Sequence, residues 1–113
     1  MCGITGIYGL EEVEDARSRV EKMNLSLAHR GPNADGIYEH ESVVLGHRRL
    51  SIIDLSAESN QPFISADGRF VLVFNGEVYN YSELKEELEN YPFRTESDTE
   101  VVLAALITWG IEA

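Results

Sequence analysis

The sequence predicts one α+β domain, and three patterns carry that expectation. Val13, Ala16, Val20, Met23 and Leu27 recur at steps of 3, 4, 3 and 4, the spacing of one helix face. Residues 37–40 and 43–49 are two strand-like runs joined at Glu41-Ser42. Residues 69–74, Arg-Phe-Val-Leu-Val-Phe, hold an apolar run without alternation, which predicts a strand covered on both faces. The 113 residues suffice for one core but not two.

In chain order, the Gly-rich residues 2–9 carry Ile4, Ile7 and Tyr8 and suit an N-terminal strand. The first helix follows. Glu11, Glu12, Glu14 and Asp15 lie at its start and His29 and Arg30 at its end, as the macrodipole favours, and Gly31-Pro32 stops it. After the two paired strands the chain is extended around Pro62, Phe63 and Ile64. Asp67-Gly68 is a hairpin turn signal leading into the apolar strand. Asn80 with Glu83 resembles a helix cap, and Leu84 and Leu88 give that helix a short stripe. Ser97-Asp98-Thr99-Glu100 reads as a capping box, with Glu100 at N3. The helix after it, 101–109, is apolar nearly all round and is expected to be buried. The chain stops three residues past Gly110, so it is expected to be the N-terminal part of a longer protein.

Composition narrows the function. Nine Lys and Arg against twenty Asp and Glu leave a net charge of −11, which repels phosphate backbones and anionic lipid. Neither nucleic acid nor a membrane is an expected partner. No apolar stretch is long enough to span a bilayer, and the N-terminus lacks the pattern of a secretory signal. With one cysteine there is no internal disulfide, which points to the cytoplasm. His29, His40 and His47 show no metal-ligand spacing, so no metal site is expected.

A lone cysteine is usually a small buried hydrophobe. Cys2 differs by position. Loss of Met1 would put a thiol and a free α-amine on one residue, and an N-terminal amine can serve such a nucleophile as its base. Asn75-Gly76 reads as a turn, or as an oxyanion hole made of a side-chain amide and a backbone N–H. Strand alternation puts Arg48 and Arg49 on opposite faces. A buried Arg49 would meet an incoming carboxylate or one of the chain's own acids. Asp98 either stabilises the start of its helix or, with Glu77, faces a substrate ammonium. Together these residues could grip a free amino acid by both its charged ends.

The blocks Met1-Cys2-Gly3-Ile4, His29-Arg30-Gly31-Pro32, Gly46-His47-Arg48-Arg49-Leu50-Ser51-Ile52-Ile53-Asp54, Gln61-Pro62, Phe74-Asn75-Gly76-Glu77-Val78-Tyr79-Asn80 and Ser97-Asp98-Thr99-Glu100 resemble the glutaminase domain of glutamine-hydrolysing asparagine synthetases, which are class II, N-terminal-nucleophile, glutamine amidotransferases. The resemblance runs from residue 1 to about residue 110, with the blocks in the family's order. It implies an α-β-β-α four-layer sandwich, of which this chain is the N-terminal portion. It implies Cys2 as nucleophile, with Asn75 and Gly76 as the oxyanion hole. Glutamine would be held by Arg49, by the backbone of Leu50, Ser51, Ile52 and Ile53, and by Glu77 and Asp98. Asn33 departs from the more usual Asp, in a loop the family does not use for catalysis. The implied partners are L-glutamine and a following synthetase domain that uses ATP and Mg2+, with a homodimer as a candidate assembly. An amidotransferase with a different ammonia acceptor, and an inactive amino-acid-binding fragment, remain open at this point.

Overall fold

The computed structural model describes residues 1–9 and 13–113. Its first sheet has strands β1 (Gly3–Tyr8), β2 (Ala34–His40) and β3 (Val43–Arg49) in the antiparallel order β1-β3-β2. The expected pair of strands is therefore present, turned at Glu41-Ser42, with Glu41 in the left-handed region at φ 45°. The central strand has Gly3 opposite Arg48 on one edge and Asp35 opposite Arg48 on the other.

Helix α1 (Ala16–Ser26) lies across this sheet. Ala16, Val20 and Val44 form its buried core, and Val13, Ile7 and Ile37 close around them. The buried face then departs from the expected stripe. Asn24 is fully buried, whereas Met23 is 38% exposed. Asn24 is stabilised there by hydrogen bonds to all three strands: it accepts from Thr5 Oγ1 at 2.6 Å and donates to the carbonyls of Gly36 at 3.1 Å and His47 at 3.5 Å. A hydrophobic periodicity does not register a polar residue that finds its partners inside.

The charge pattern expected of α1 is not realised. The helix begins after Glu14 and Asp15 and has no acid in its first turn, nor any base in its last. Glu11 and Glu12 lie outside the described residues. Arg30 is used elsewhere, donating from Nε to the Cys2 carbonyl at 3.0 Å.

The second sheet pairs β4 (Phe63–Ile64) with β5 (Val71–Leu72) through the turn at Asp67-Gly68. The doubly covered strand expected over 69–74 is a two-residue ladder instead. Phe70 is 39% exposed and residues 71–74 are half-buried, and among the described residues β5 pairs only with β4. Apolar composition shows what a strand can bury, not what lies over it.

Helices α2 (Tyr81–Glu87) and α3 (Asp98–Trp109) pack on each other. Leu88, Val101, Ala104 and Ala105 are their core, flanked by Tyr81, Leu84, Tyr91 and Phe93; it is separate from the cluster under α1, so two small cores stand where the length predicts one. Asn80 occupies the N-cap position of α2 but makes no side-chain cap bond. Ser97 caps α3, its Oγ accepting from the Thr99 N–H at 3.1 Å. Glu100 does not complete the box. The Ser97 N–H goes to Thr95 Oγ1, while the buried Glu100 carboxylate accepts from the N–H groups of Arg94 and Thr95 and from the Thr95 hydroxyl. Burial of α3 ends at Ala105, and Leu106 and Trp109 beyond it are exposed. Among the described residues no helix is long and apolar enough to cross a membrane.

Candidate active site

The ladder between β1 and β3 sets the position of Cys2. With Gly3 opposite Arg48, the chain leaves the sheet so that Cys2 sits beside the end of β3. The Leu50 N–H donates to Cys2 Sγ at 3.3 Å, and the thiol reaches the Leu50 carbonyl at 3.7 Å. The thiol is partly exposed on the wall of a cavity of about 280 Å³.

Arg49 is buried on the inner face of β3, as alternation requires, and Arg48 lies on the other face bound to the Gly31 carbonyl and Asp35. Of the two fates open to Arg49, an internal ion pair is absent among the described residues. Its guanidinium donates to the carbonyls of Ser56 and Asp54 and to Asn60 Oδ1. All three acceptors are neutral, so the charge is anchored but not cancelled where Arg49 meets the cavity.

Most of the rest of the wall comes from three segments, with Met1, Ser59, Gln61 and Tyr79 adding to it. Leu50, Ile52, Ile53 and Asp54 follow β3, Phe74 to Glu77 follow β5, and Ser97 to Thr99 begin α3. Ser51 does not line the cavity. Its N–H is taken by Asn33 Oδ1 at 3.0 Å, so this residue fixes the segment from behind. Asn33 thus gains a part in the site that its loop did not suggest. Asp98 is buried, and one of its oxygens accepts from the Val78 N–H at 3.0 Å, tying α3 to the segment that carries Asn75, Gly76 and Glu77. Glu77 is exposed at the rim.

Asp54 was carried by the sequence block but given no role. Its carboxylate accepts from the N–H groups of Ser56 at 2.8 Å and Glu96 at 2.9 Å. Hydrogen bonding from the Ser56 side chain and backbone and from Glu96 holds its carboxyl well below the usual carboxylate range. It joins the loop after β3 to the approach to α3. Gly76 lies under the Phe74 ring, and a Cβ there would fall 2.7 Å from Phe74 Cζ.

The structure therefore brings Cys2, Arg49, Leu50, Ile52, Ile53, Asn75, Gly76, Glu77 and Asp98 to one cavity and leaves Ser51 outside it. Its lining holds a thiol, a side-chain amide, a guanidinium and carboxylates. A glutamine amidotransferase domain model matches residues 1–113.

The chain belongs to the glutamine amidotransferase domain family.

Members of this family with similar sequences include a glutamine-hydrolysing asparagine synthetase of Bacillus subtilis, 46% identical over the whole chain and 18% of that protein's length. Asparagine synthetases of Arabidopsis thaliana and Zea mays are 39% and 42% identical over 99% of the chain. The chain spans about a fifth of the length of the curated relatives it matches.

Proposed function

We propose that this chain is the glutamine-hydrolysing portion of a glutamine-hydrolysing asparagine synthetase. The observation that supports it best is the shared cavity: the Cys2 thiol, the Asn75-Gly76 pair, the Arg49 guanidinium and the Asp98 carboxylate all border one space suited to a single amino acid. The two sheets with helices beside them are read as the start of the α-β-β-α sandwich of N-terminal-nucleophile hydrolases, with the remainder of that domain lying beyond these residues.

Arg49 grips the glutamine α-carboxylate, and Asp98, with Glu77 at the rim, faces its ammonium. Backbone groups of Leu50, Ile52 and Ile53 complete the lining. Once Met1 is removed, the Cys2 amine takes the thiol proton. The thiolate then forms a bond to the side-chain amide carbon. The oxygen, now anionic, is held by the Asn75 amide and the Gly76 N–H. The amine returns the proton to the leaving nitrogen, ammonia departs, and a γ-glutamyl thioester remains. Water, deprotonated by the same amine, attacks the thioester. The C–S bond breaks, glutamate is released, and the amine returns the proton to the thiolate, regenerating the thiol.

In the full-length protein the ammonia is delivered to an aspartate activated by ATP and Mg2+. That step is assigned to a separate synthetase domain. Among the described residues no group of three His, Cys, Asp or Glu side chains could hold a metal ion, so this chain's residues do not fit the ATP–Mg2+ site and no step is routed through them. Cytoplasmic residence, argued from the single cysteine, and a homodimer, argued from the resemblance, belong to the same proposal.

The test uses the Met1-processed protein that carries this chain. An electrophilic diazoketone analogue of glutamine should add covalently to the protein once, and Cys2→Ala should abolish both the adduct and glutamine hydrolysis. Hydrolysis retained in Cys2→Ala would overturn the assignment.

A further inference from the structure

His47 and Gln61 both fall in sequence blocks that carried the resemblance, yet neither has a role in the chemistry above. Both converge on one residue, Phe74, which immediately precedes Asn75-Gly76. The β4–β5 ladder ends at Leu72, so the Phe74 peptide groups have no strand partner. Side chains supply both partners. The Phe74 N–H donates to Gln61 Oε1 at 2.6 Å, and the Phe74 carbonyl is 3.1 Å from His47 Nε2.

We infer that His47 and Gln61 are positioning residues that clamp Phe74 through its carbonyl and its N–H and so aim the Asn75-Gly76 donors at the oxyanion. This rests on the proposed glutaminase reading of the cavity. The Phe74 carbonyl lies in the same rigid peptide plane as the Asn75 N–H, so fixing one fixes the start of the Asn75-Gly76 segment.

Each jaw of the clamp is itself fixed. A carbonyl only accepts, so His47 must carry its proton on Nε2. Its Nδ1 is buried with no partner, which means that the side chain is held there at the cost of one unsatisfied acceptor. His47 is on the same face of β3 as Arg49, two residues away, and is 1% exposed. The strand that presents the guanidinium thereby also sets the height of the Asn75-Gly76 wall. Gln61 is oriented by its other end, because its Nε2 donates to Thr99 Oγ1 at 3.2 Å, in the first turn of α3 beside Asp98. Behind it, the Gln61 carbonyl rests so close to Gly36 on β2 that any Cβ at 36 would run into it. The clamp therefore fixes the Asn75-Gly76 segment relative to both the first sheet and α3, the two structures that hold the ends of the substrate.

The test measures glutamine hydrolysis by the full-length protein carrying His47→Leu, His47→Gln or Gln61→Met, with Cys2→Ala as reference. Loss of one oxyanion donor typically lowers kcat by about 10²–10³-fold. His47→Leu and Gln61→Met should lower kcat by at least roughly tenfold, part of that loss; glutamine KM should stay nearly unchanged in His47→Leu, whereas Gln61 also borders the cavity, so its variant is read on kcat. His47→Gln, whose side-chain N–H can stand in for Nε2–H, should recover most of the lost rate. Wild-type kcat in Gln61→Met, or no recovery in His47→Gln relative to His47→Leu, would overturn the clamp while leaving the glutaminase reading intact. If His47→Leu does not fold, Gln61→Met decides by itself. An active Cys2→Ala would instead remove the reading on which the clamp depends.

Discussion

At the scale of single residues, Arg49 shows how much a site asks of one side chain. Its guanidinium satisfies Asp54, Ser56 and Asn60 and still borders the cavity. A lysine ammonium has no planar fork and cannot do both. Arg49→Lys should raise the glutamine KM by roughly ten- to a hundredfold, about the cost of one charge-assisted hydrogen bond, with a smaller change in kcat. Steady-state kinetics on the full-length protein would check this, and an unchanged KM would remove Arg49 from the carboxylate end. His47 carries a pH signature. Burial lowers its pKa from 6.5, opposed by its hydrogen bond to the Phe74 carbonyl and reinforced by the nearby Arg49 charge. The unfolded chain therefore binds a proton that the folded one resists. This contribution to stability is fully present above about pH 6.5 and is lost as the pH falls below it, levelling off below the lowered folded-state value. Urea midpoints measured between neutral and mildly acid pH should fall accordingly, and His47→Gln should flatten that part of the profile. Cys2, Arg49, Asn75 and Asp98 could be singled out from sequence because each residue type has a chemistry of its own. His47, Gln61, Asn33 and Asp54 could not. They act by holding backbone groups of distant segments, and no local pattern records which carbonyl or N–H a side chain will meet.

At the scale of elements, the start of α3 separates a cap from an anchor. Ser97 bonds one N–H of its own helix, so Ser97→Ala should cost about 1 kcal/mol. Glu100 is fully buried and receives two N–H groups and a hydroxyl from Arg94 and Thr95. Glu100→Ala leaves those donors unpaired inside the protein and should cost about 3 kcal/mol or more. Urea unfolding of the two variants should rank Glu100→Ala well below Ser97→Ala, and equal losses would mean that the carboxylate is replaced there by water. The capping motif was legible because its first residue behaves locally, while its fourth is decided by where the preceding loop runs. The same division holds elsewhere. The turns at Glu41-Ser42 and Asp67-Gly68 and the presence of α1 follow from neighbouring residues, and they were readable. The buried Asn24, the short β5 ladder and the half-exposed α3 depend on what other parts of the chain bring, and they were not.

At the scale of the whole molecule, two opposing tendencies share one surface. Leu55, Tyr79, Leu106, Trp109 and Ile111 are exposed, while the net charge of −11 keeps copies of the chain apart. Salt screens the repulsion and leaves the apolar attraction. The isolated 113-residue chain should therefore self-associate more at high salt than at low salt, which sedimentation velocity would read directly. A salt-independent monomer would mean that the exposed side chains are too scattered to bind one another. The central place of β3 has a consequence of its own. A strand at a sheet's margin can absorb an inserted or deleted residue by sliding along its one neighbour, but β3 is laced on both flanks, to β1 and to β2. One residue gained or lost within β3 before position 47 would swing the imidazole and the guanidinium to the wrong side together. Evolution can lengthen this protein's outer loops freely, but along this one strand it has no slack to spend.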